Sequence, residues 1–359
     1  MRTARPAVRS RRLLAAALAA ITVVLAATAA PAWACGGLVG ENGSIQLTRT
    51  STLAAYHDGV ERYVTSFEFT GTGESVGSII PLPDVPSDVV RGGDWTLQRL
   101  AREVAPAEED SFAESTLAGA AADGAEVLIE TEIDALDITV LRGGGDEVGN
   151  WARDNGFLLT PDAPEMLDFY GHRSEIFMAA KFDASRAAEL GQTAGDGTPI
   201  MLTIPTDAPW VPLRILSLGL DKSEFVEADV FLLTDDEPDL LAGGPGLSLE
   251  RSEPANESLL TDLRSDVGME WVPENMWFTY LAVDTEAGDL DYDLAVSADR
   301  ETLPKVVDTG VSAPDARPIA DTGDGLPVWP IAAGVAAALV VLAILFAADR
   351  DRRTRGLPA

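Results

Sequence analysis

Few residues of this chain could do chemistry, and their spacing narrows what that chemistry could be. Gly73-Glu74-Ser75-Val76-Gly77 has the G-x-S-x-G spacing of a nucleophilic serine. That chemistry needs the serine at the tip of a sharp strand-to-helix turn, within reach of a general base. Here the run continues into Ser78-Ile79-Ile80-Pro81, which reads as another strand, so a glycine-rich hairpin is expected and a hydrolase using Ser75 is the alternative. The chain has two histidines, His57 and His172, so any imidazole base must be one of them and a His-rich zinc site is nearly excluded by supply. His57 precedes an Asp58-Gly59 turn, and His172 follows a predicted helix end, where positive charge suits the helix dipole.

Asp289-x-Asp291-x-Asp293 begins like a calcium loop, but Leu294 and Arg300 stand where an EF-hand needs Gly and Glu. Leu290, Tyr292, Leu294 and Val296 alternate with the aspartates, so a strand with a solvated acidic face is expected. Calcium is the one cofactor these residues leave open. Gly143-Gly144-Gly145 precedes a predicted helix but lacks the Lys and Ser/Thr of a phosphate loop, and Asp146-Glu147 repels phosphate. A flexible lead-in to the helix is expected. Trp95, Trp151, Trp210, Trp271 and Trp277 are expected as core or edge-packing residues, with Trp277, Phe278 and Tyr280 as a candidate aromatic patch.

The elements that must position these residues are mostly strands. Alternation marks Arg62–Thr70, with Tyr63, Thr65, Phe67 and Phe69 on one face, and the segments around Val127–Ile133 and Val226–Leu232. Asp58-Gly59 fits a two-residue hairpin turn. Helical spacing predicts three helices. One is capped by Asp94 and carries Leu97, Leu100, Ala101 and Val104. The second carries Val148, Trp151 and Ala152 and ends at Gly156, and the third runs from Thr160-Pro161 to Gly171. Residues 105–125 and 235–257 read as loops. A strand at Phe67 followed by one ending Ile79-Ile80-Pro81 is echoed by a strand at Phe177 and one ending Leu202-Thr203-Ile204-Pro205, which suggests two β-lobes. The fold class expected is α+β and β-rich, with antiparallel sheets, a few short helices and one C-terminal transmembrane helix.

Composition places the chain. Residues 35–348 carry 56 acidic against 17 basic side chains, which repels nucleic acid and anionic lipid and favours cations or basic partners. Three lysines against 23 arginines resemble an actinobacterial composition. Cys35 is the one cysteine, so an internal disulfide is excluded and the fold rests on its apolar core. Residues 1–34 combine five arginines, the apolar run Leu13–Ala30 and Ala32-Trp33-Ala34, which together make a signal peptide cleaved between Ala34 and Cys35. Leu326 to Ala348 is uncharged, long enough at about 1.5 Å per residue to cross a bilayer, and followed by Arg350, Arg352, Arg353 and Arg355. This arrangement places residues 35–326 outside the cell.

The expected organisation is a signal peptide (1–34), an extracytoplasmic β-rich domain (35–303), a Pro/Gly/Asp linker (304–326), a transmembrane helix (327–348) and a short basic tail (349–359). Ile319-Ala320-Asp321-Thr322-Gly323 resembles an actinobacterial sortase signal, in which Thr322–Gly323 would be the cleaved bond and the chain would pass to the cell wall.

Cys35-Gly36-Gly37, Ile80-Pro81-Leu82-Pro83-Asp84-Val85-Pro86, Asp137–Leu141 leading to Trp151 and Asn155-Gly156-Phe157, and Ile176–Lys181 resemble the uncharacterised bacterial domain-of-unknown-function family 2330. The resemblance implies an exported, envelope-associated protein and brings no catalytic residues. The function expected is a surface-displayed, membrane-anchored module with a non-catalytic binding or structural role. The alternatives are an accessory subunit of a membrane complex, whose span packs through Gly334, and an envelope hydrolase using Ser75.

Overall fold

The structure is a computed structural model that describes residues 37–40, 50–67, 75–104, 125–192, 197–297 and 303–319. The expected signal peptide, Cys35, the acidic stretch 105–124 and everything after Ile319, including Thr322, Gly323 and the expected span 327–348, lie outside these residues. Among the described residues, no helix is long and apolar enough to cross a membrane.

Along the chain come β1 (Gly37–Gly40), β2 (Thr50–His57), β3 (Val60–Phe67), β4 (Ser75–Pro81), β5 (Asp88–Arg91) and helix α1 (Thr96–Val104). Then follow β6 (Glu126–Ile133), β7 (Leu136–Arg142), α2 (Gly145–Asp154), α3 (Ala163–Gly171), β8 (Ile176–Asp183), α4 (Ala184–Leu190) and β9 (Thr198–Pro205). The rest comprises β10 (Trp210–Val211), β11 (Phe225–Thr234), β12 (Asp239–Ala242), β13 (Leu247–Pro254), α5 (Glu257–Ser265), β14 (Trp277–Glu286), β15 (Leu294–Ser297) and β16 (Arg317–Pro318).

Among the described residues three sheets result. The largest has the order β13-β14-β11-β2-β3-β9-β5, the second β1-β4-β8-β7-β6, and the third β10-β15-β12-β16. All pairings are antiparallel except β11 with β2. The β-rich expectation holds, with a mixed rather than purely antiparallel large sheet. The two-residue loop at Asp58-Gly59 forms as expected, both residues at positive φ (52° and 73°), and it fixes the β2–β3 register.

The large sheet is buried on both faces, so Val64 of β3 and Phe231 and Leu233 of β11 fill positions between the alternating ones. Ala54, Tyr63, Leu202, Val230 and Leu281 join residues of the other two sheets in the main core. From the opposite face Leu53, Val64, Met201, Phe231 and Phe278 pack with Leu97 and Leu100 of α1 and Leu259, Leu260 and Leu263 of α5. A strand covered on both sides gains hydrophobic burial at every position, not every second one.

Several expectations need correction. The strands carrying the internal echo do not form two lobes: β3 pairs with β9 and β4 with β8, so each copy gives one strand to each of two sheets. The expected loop 235–257 holds β12 and β13, and α4 and α5 were not foreseen. The start of the expected linker is part of the folded unit, which extends to Ile319. Arg173 Nη2 donates to the Asp308 carbonyl at 2.7 Å, Asp293 N donates to the Thr309 carbonyl at 2.9 Å, and Ile319 N donates to the Leu240 carbonyl at 3.3 Å. These partners come from distant parts of the chain and leave no local signature.

Candidate functional site

Ser75 is the first residue of β4 and lies opposite Asp183 of β8. The chain runs from it along a strand, not into a helix, so the elbow a nucleophile requires is not built there. Gly77, the last glycine of that motif, has a packing reason to lack a side chain: Phe157 ring carbons occupy the place of a Cβ, the nearest at 2.2 Å. Gly145 is similarly explained, since a Cβ there would stand 2.4 Å from the backbone nitrogen of Asp168. Gly145 therefore sits at a close crossing of α2 and α3 and is not part of a flexible lead-in.

The three aspartates at 289, 291 and 293 do not share one environment. Asp289 and Asp291 are exposed, whereas Asp293 is fully buried. Its carboxylate accepts from Tyr170 Oη (2.9 Å), Leu213 N (2.6 Å), Arg214 N (2.9 Å) and Arg173 Nη1 (2.5 Å). Donors already occupy both of its oxygens, so it is a structural anchor, and the expected solvated acidic face is wrong at this position. Around it Trp210 stacks on Tyr170 with centroids 5.9 Å apart, and the Arg173 guanidinium lies 4.3 Å over the Trp210 ring. Burial beside Asp293 pushes the Tyr170 phenol well above its ordinary range.

The tryptophans divide as expected into core and edge positions. Trp151 packs on Phe157 in the core, and Trp277 Nε1 donates to Ser252 Oγ at 2.9 Å. Trp277 and its neighbour Phe278 point to opposite faces of β14, with Phe278 buried, so they do not form one surface patch.

His172 is exposed at the end of α3. Its Nδ1 lies 2.7 Å from the Asp168 carbonyl, and that bond, with the nearby Asp168 carboxylate, raises its pKa. His57 is placed differently. Its Nδ1 is 2.6 Å from Asp235 Oδ1 and its Nε2 is 3.4 Å from Asp58 Oδ2. The β2–β3 turn supplies two of these residues and the segment after β11 supplies the third, 178 positions away. Among the described residues, His57, Asp58 and Asp235 are the one group of three His, Cys, Asp or Glu side chains whose donor atoms all lie within 4.8 Å of one another. Only the histidine and the turn were legible in the sequence. Asp235 carries no local signal and is brought in by the parallel pairing of β11 with β2, which aligns Thr234 with Tyr56.

Two of the surface clefts among the described residues are of similar volume. One of about 370 Å³ is lined by Tyr56, Asp207, Ser297, Lys305 and Asp308, and burial raises the Asp308 carboxyl pKa. The other, about 350 Å³, is lined by Asp162, Glu165, Arg214, Lys222 and Asp291. Asp291 thus faces a cleft of mixed charge in which Arg214 already pairs with Glu165 at 2.8 Å.

A further residue escaped sequence reasoning. Glu61 in β3 is fully buried, and neither carboxylate oxygen meets a hydrogen-bond donor of the protein. Burial pushes its pKa up to about 8, so at neutral pH it is largely a neutral acid. Across β2–β3 it opposes Tyr56, and across β3–β9 it opposes Ile204.

Residues 29–226 match the model of the family described as an uncharacterized protein conserved in bacteria (DUF2330). The match covers more than half of the chain, and the chain belongs to this family. No curated protein matches it. Among solved structures, baculovirus P35 is similar at 10% identity over 73% of this chain and 99% of that one, with a TM-score of 0.36. A mutated baculovirus P35 after caspase cleavage is 8% identical over 69% of this chain and 99% of that one, with a TM-score of 0.34. At such scores the likeness carries no argument.

Proposed function

We propose that the chain is a membrane-anchored module displayed on the outer side of a bacterial cell envelope, with a non-catalytic binding or structural role. The observation that carries this reading is the order of charge and hydropathy at the two ends. An arginine-led apolar leader ends at Ala34, and an uncharged span over 327–348 is followed by a basic tail. The acidic excess between them suits a cation or a basic protein as partner and disfavours nucleic acid. The non-catalytic part is supported by Ser75 opening a strand and by the packing of Gly77 against Phe157.

Protease treatment of intact cells tests the display. Loss of the folded unit with survival of a C-terminal membrane fragment is expected, and full protection until lysis would overturn it. Wall attachment is the second reading, favoured by Ile319-Ala320-Asp321-Thr322-Gly323 before an apolar span and a basic tail. Mass spectrometry of the C-terminal peptide separates the two. Ala359 marks a retained helix, and Thr322 joined to a wall fragment marks transfer.

A further inference from the structure

The imidazole of His57 is held between two carboxylates in two different ways. Asp235 Oδ1 sits 2.6 Å from Nδ1, the distance of a charge-assisted hydrogen bond. A carboxylate only accepts, so the proton of that bond is on Nδ1. Nε2, on the other edge of the ring, faces Asp58 Oδ2 at 3.4 Å, beyond the usual range of a good hydrogen bond. That separation is what two ligand atoms show when each is bonded at about 2.0–2.1 Å to one tetrahedral ion, about 3.3–3.4 Å apart. The ring is 28% exposed and the Asp58 side chain 86%, so an ion and its waters can reach both.

We propose that His57 Nε2 and Asp58 Oδ2 form a binding site for a zinc-like divalent transition-metal ion, with Asp235 orienting the imidazole through Nδ1. A carboxylate on the far nitrogen of a ligand histidine fixes the tautomer and raises the basicity of the ligating nitrogen. An imidazole with a carboxylate suits zinc and its neighbours, whereas calcium takes oxygen ligands alone. Two protein ligands leave the remaining positions to water, so binding is weak and reversible. Arg62 is the counter-charge to consider: its guanidinium interacts with the charge of Asp58 while stacking 4.2 Å over the Trp271 ring. The general acidic field of the chain raises the local cation concentration in its favour. The ion takes the place of a proton on imidazole, so acidification weakens it.

Because the chain has two histidines, its imidazole Cε1–H resonances are two, and zinc titration of the full chain in detergent can be followed at both. Zinc should shift the His57 resonance saturably and leave His172 in place, with calcium shifting neither. Asp235→Asn should weaken zinc binding about 10–100-fold. Asp58→Asn should weaken it too while keeping the turn, since asparagine tolerates the positive φ of position 58. His57→Gln should remove the saturable shift. Equal shifts at both histidines would reveal diffuse binding to surface carboxylates and overturn the site. Unchanged affinity in folded Asp58→Asn and Asp235→Asn proteins would overturn it as well.

Discussion

Glu61 turns a buried side chain into a measurable pH response. Its pKa rises from 4.5 to about 8 through burial, so between those values the folded chain holds a proton that the unfolded chain has released. Where the folded state binds the extra proton, stability falls as pH rises, and the loss levels off once the folded acid itself ionises. At about 1.4 kcal/mol per pKa unit the penalty is roughly a few kcal/mol. Glu61→Gln cannot ionise. Its advantage over the wild type in urea unfolding should grow from pH 4.5 to 8 and then hold level, and a difference independent of pH would refute this account. Asp293 is the converse case, a buried charge with every oxygen met. Asp293→Asn leaves Arg173 buried without its counter-ion and should cost about 3–5 kcal/mol, read as a lowered urea midpoint. In the sequence, Asp293 alternates with Tyr292 and Leu294 as a solvated acid does, whereas Glu61 falls on the strand face of Tyr63 and Thr65. Their difference arises from what the opposite elements bring to them.

Helix α1 shows how an element depends on a distant residue. Asp94 has the type and place of an N-cap, yet it pairs with Arg91, and the helix start is held by Asp266. The Asp266 carboxylate accepts from the backbone nitrogens of Asp94 and Trp95, both at 3.1 Å, and from the Thr96 hydroxyl at 2.7 Å. Asp266 follows α5, so one buried side chain joins the two helices that cover the large sheet. Asp266→Ala should cost at least about 1–2 kcal/mol and speed amide exchange in the first turn of α1, while Asp94→Ala should leave that exchange nearly unchanged. The hairpin at Asp58-Gly59 and the three helices with an apolar stripe were legible, because their causes are local. β13 was not: its Leu249-Glu250-Arg251-Ser252-Glu253 mixes charge with little burial, as an edge strand with a bulge can afford. α4 has only seven residues and follows a strand directly, its start marked by Asp183 accepting from Ser185 N and Arg186 N. Of the zinc-like site, His57 and the Asp58 turn were readable and Asp235 was not, since strand order alone brings it there.

For the whole molecule, the boundary at Ile319 is the feature with the widest reach. Residues 303–319 supply the Thr309 carbonyl to Asp293 N, the Asp308 carbonyl to Arg173 and strand β16 to the edge of β12. A fragment of residues 35–319 should melt with one of residues 35–326. One ending at Thr302 should melt several degrees lower, as about 1 kcal/mol corresponds to roughly 2–4 °C in a domain of this size. Equal melting of the fragments ending at Thr302 and Ile319 would return the segment to the status of a tether. Strand β16 is two residues long, and Pro318 has no N–H to give its neighbour, which suits an edge. If the C-terminus is fixed in a membrane or wall, mechanical load on the protein enters at this clasp. A strand so short peels bond by bond, so under tension β16 and the turn before it should yield first and release chain while the large sheet keeps its shape.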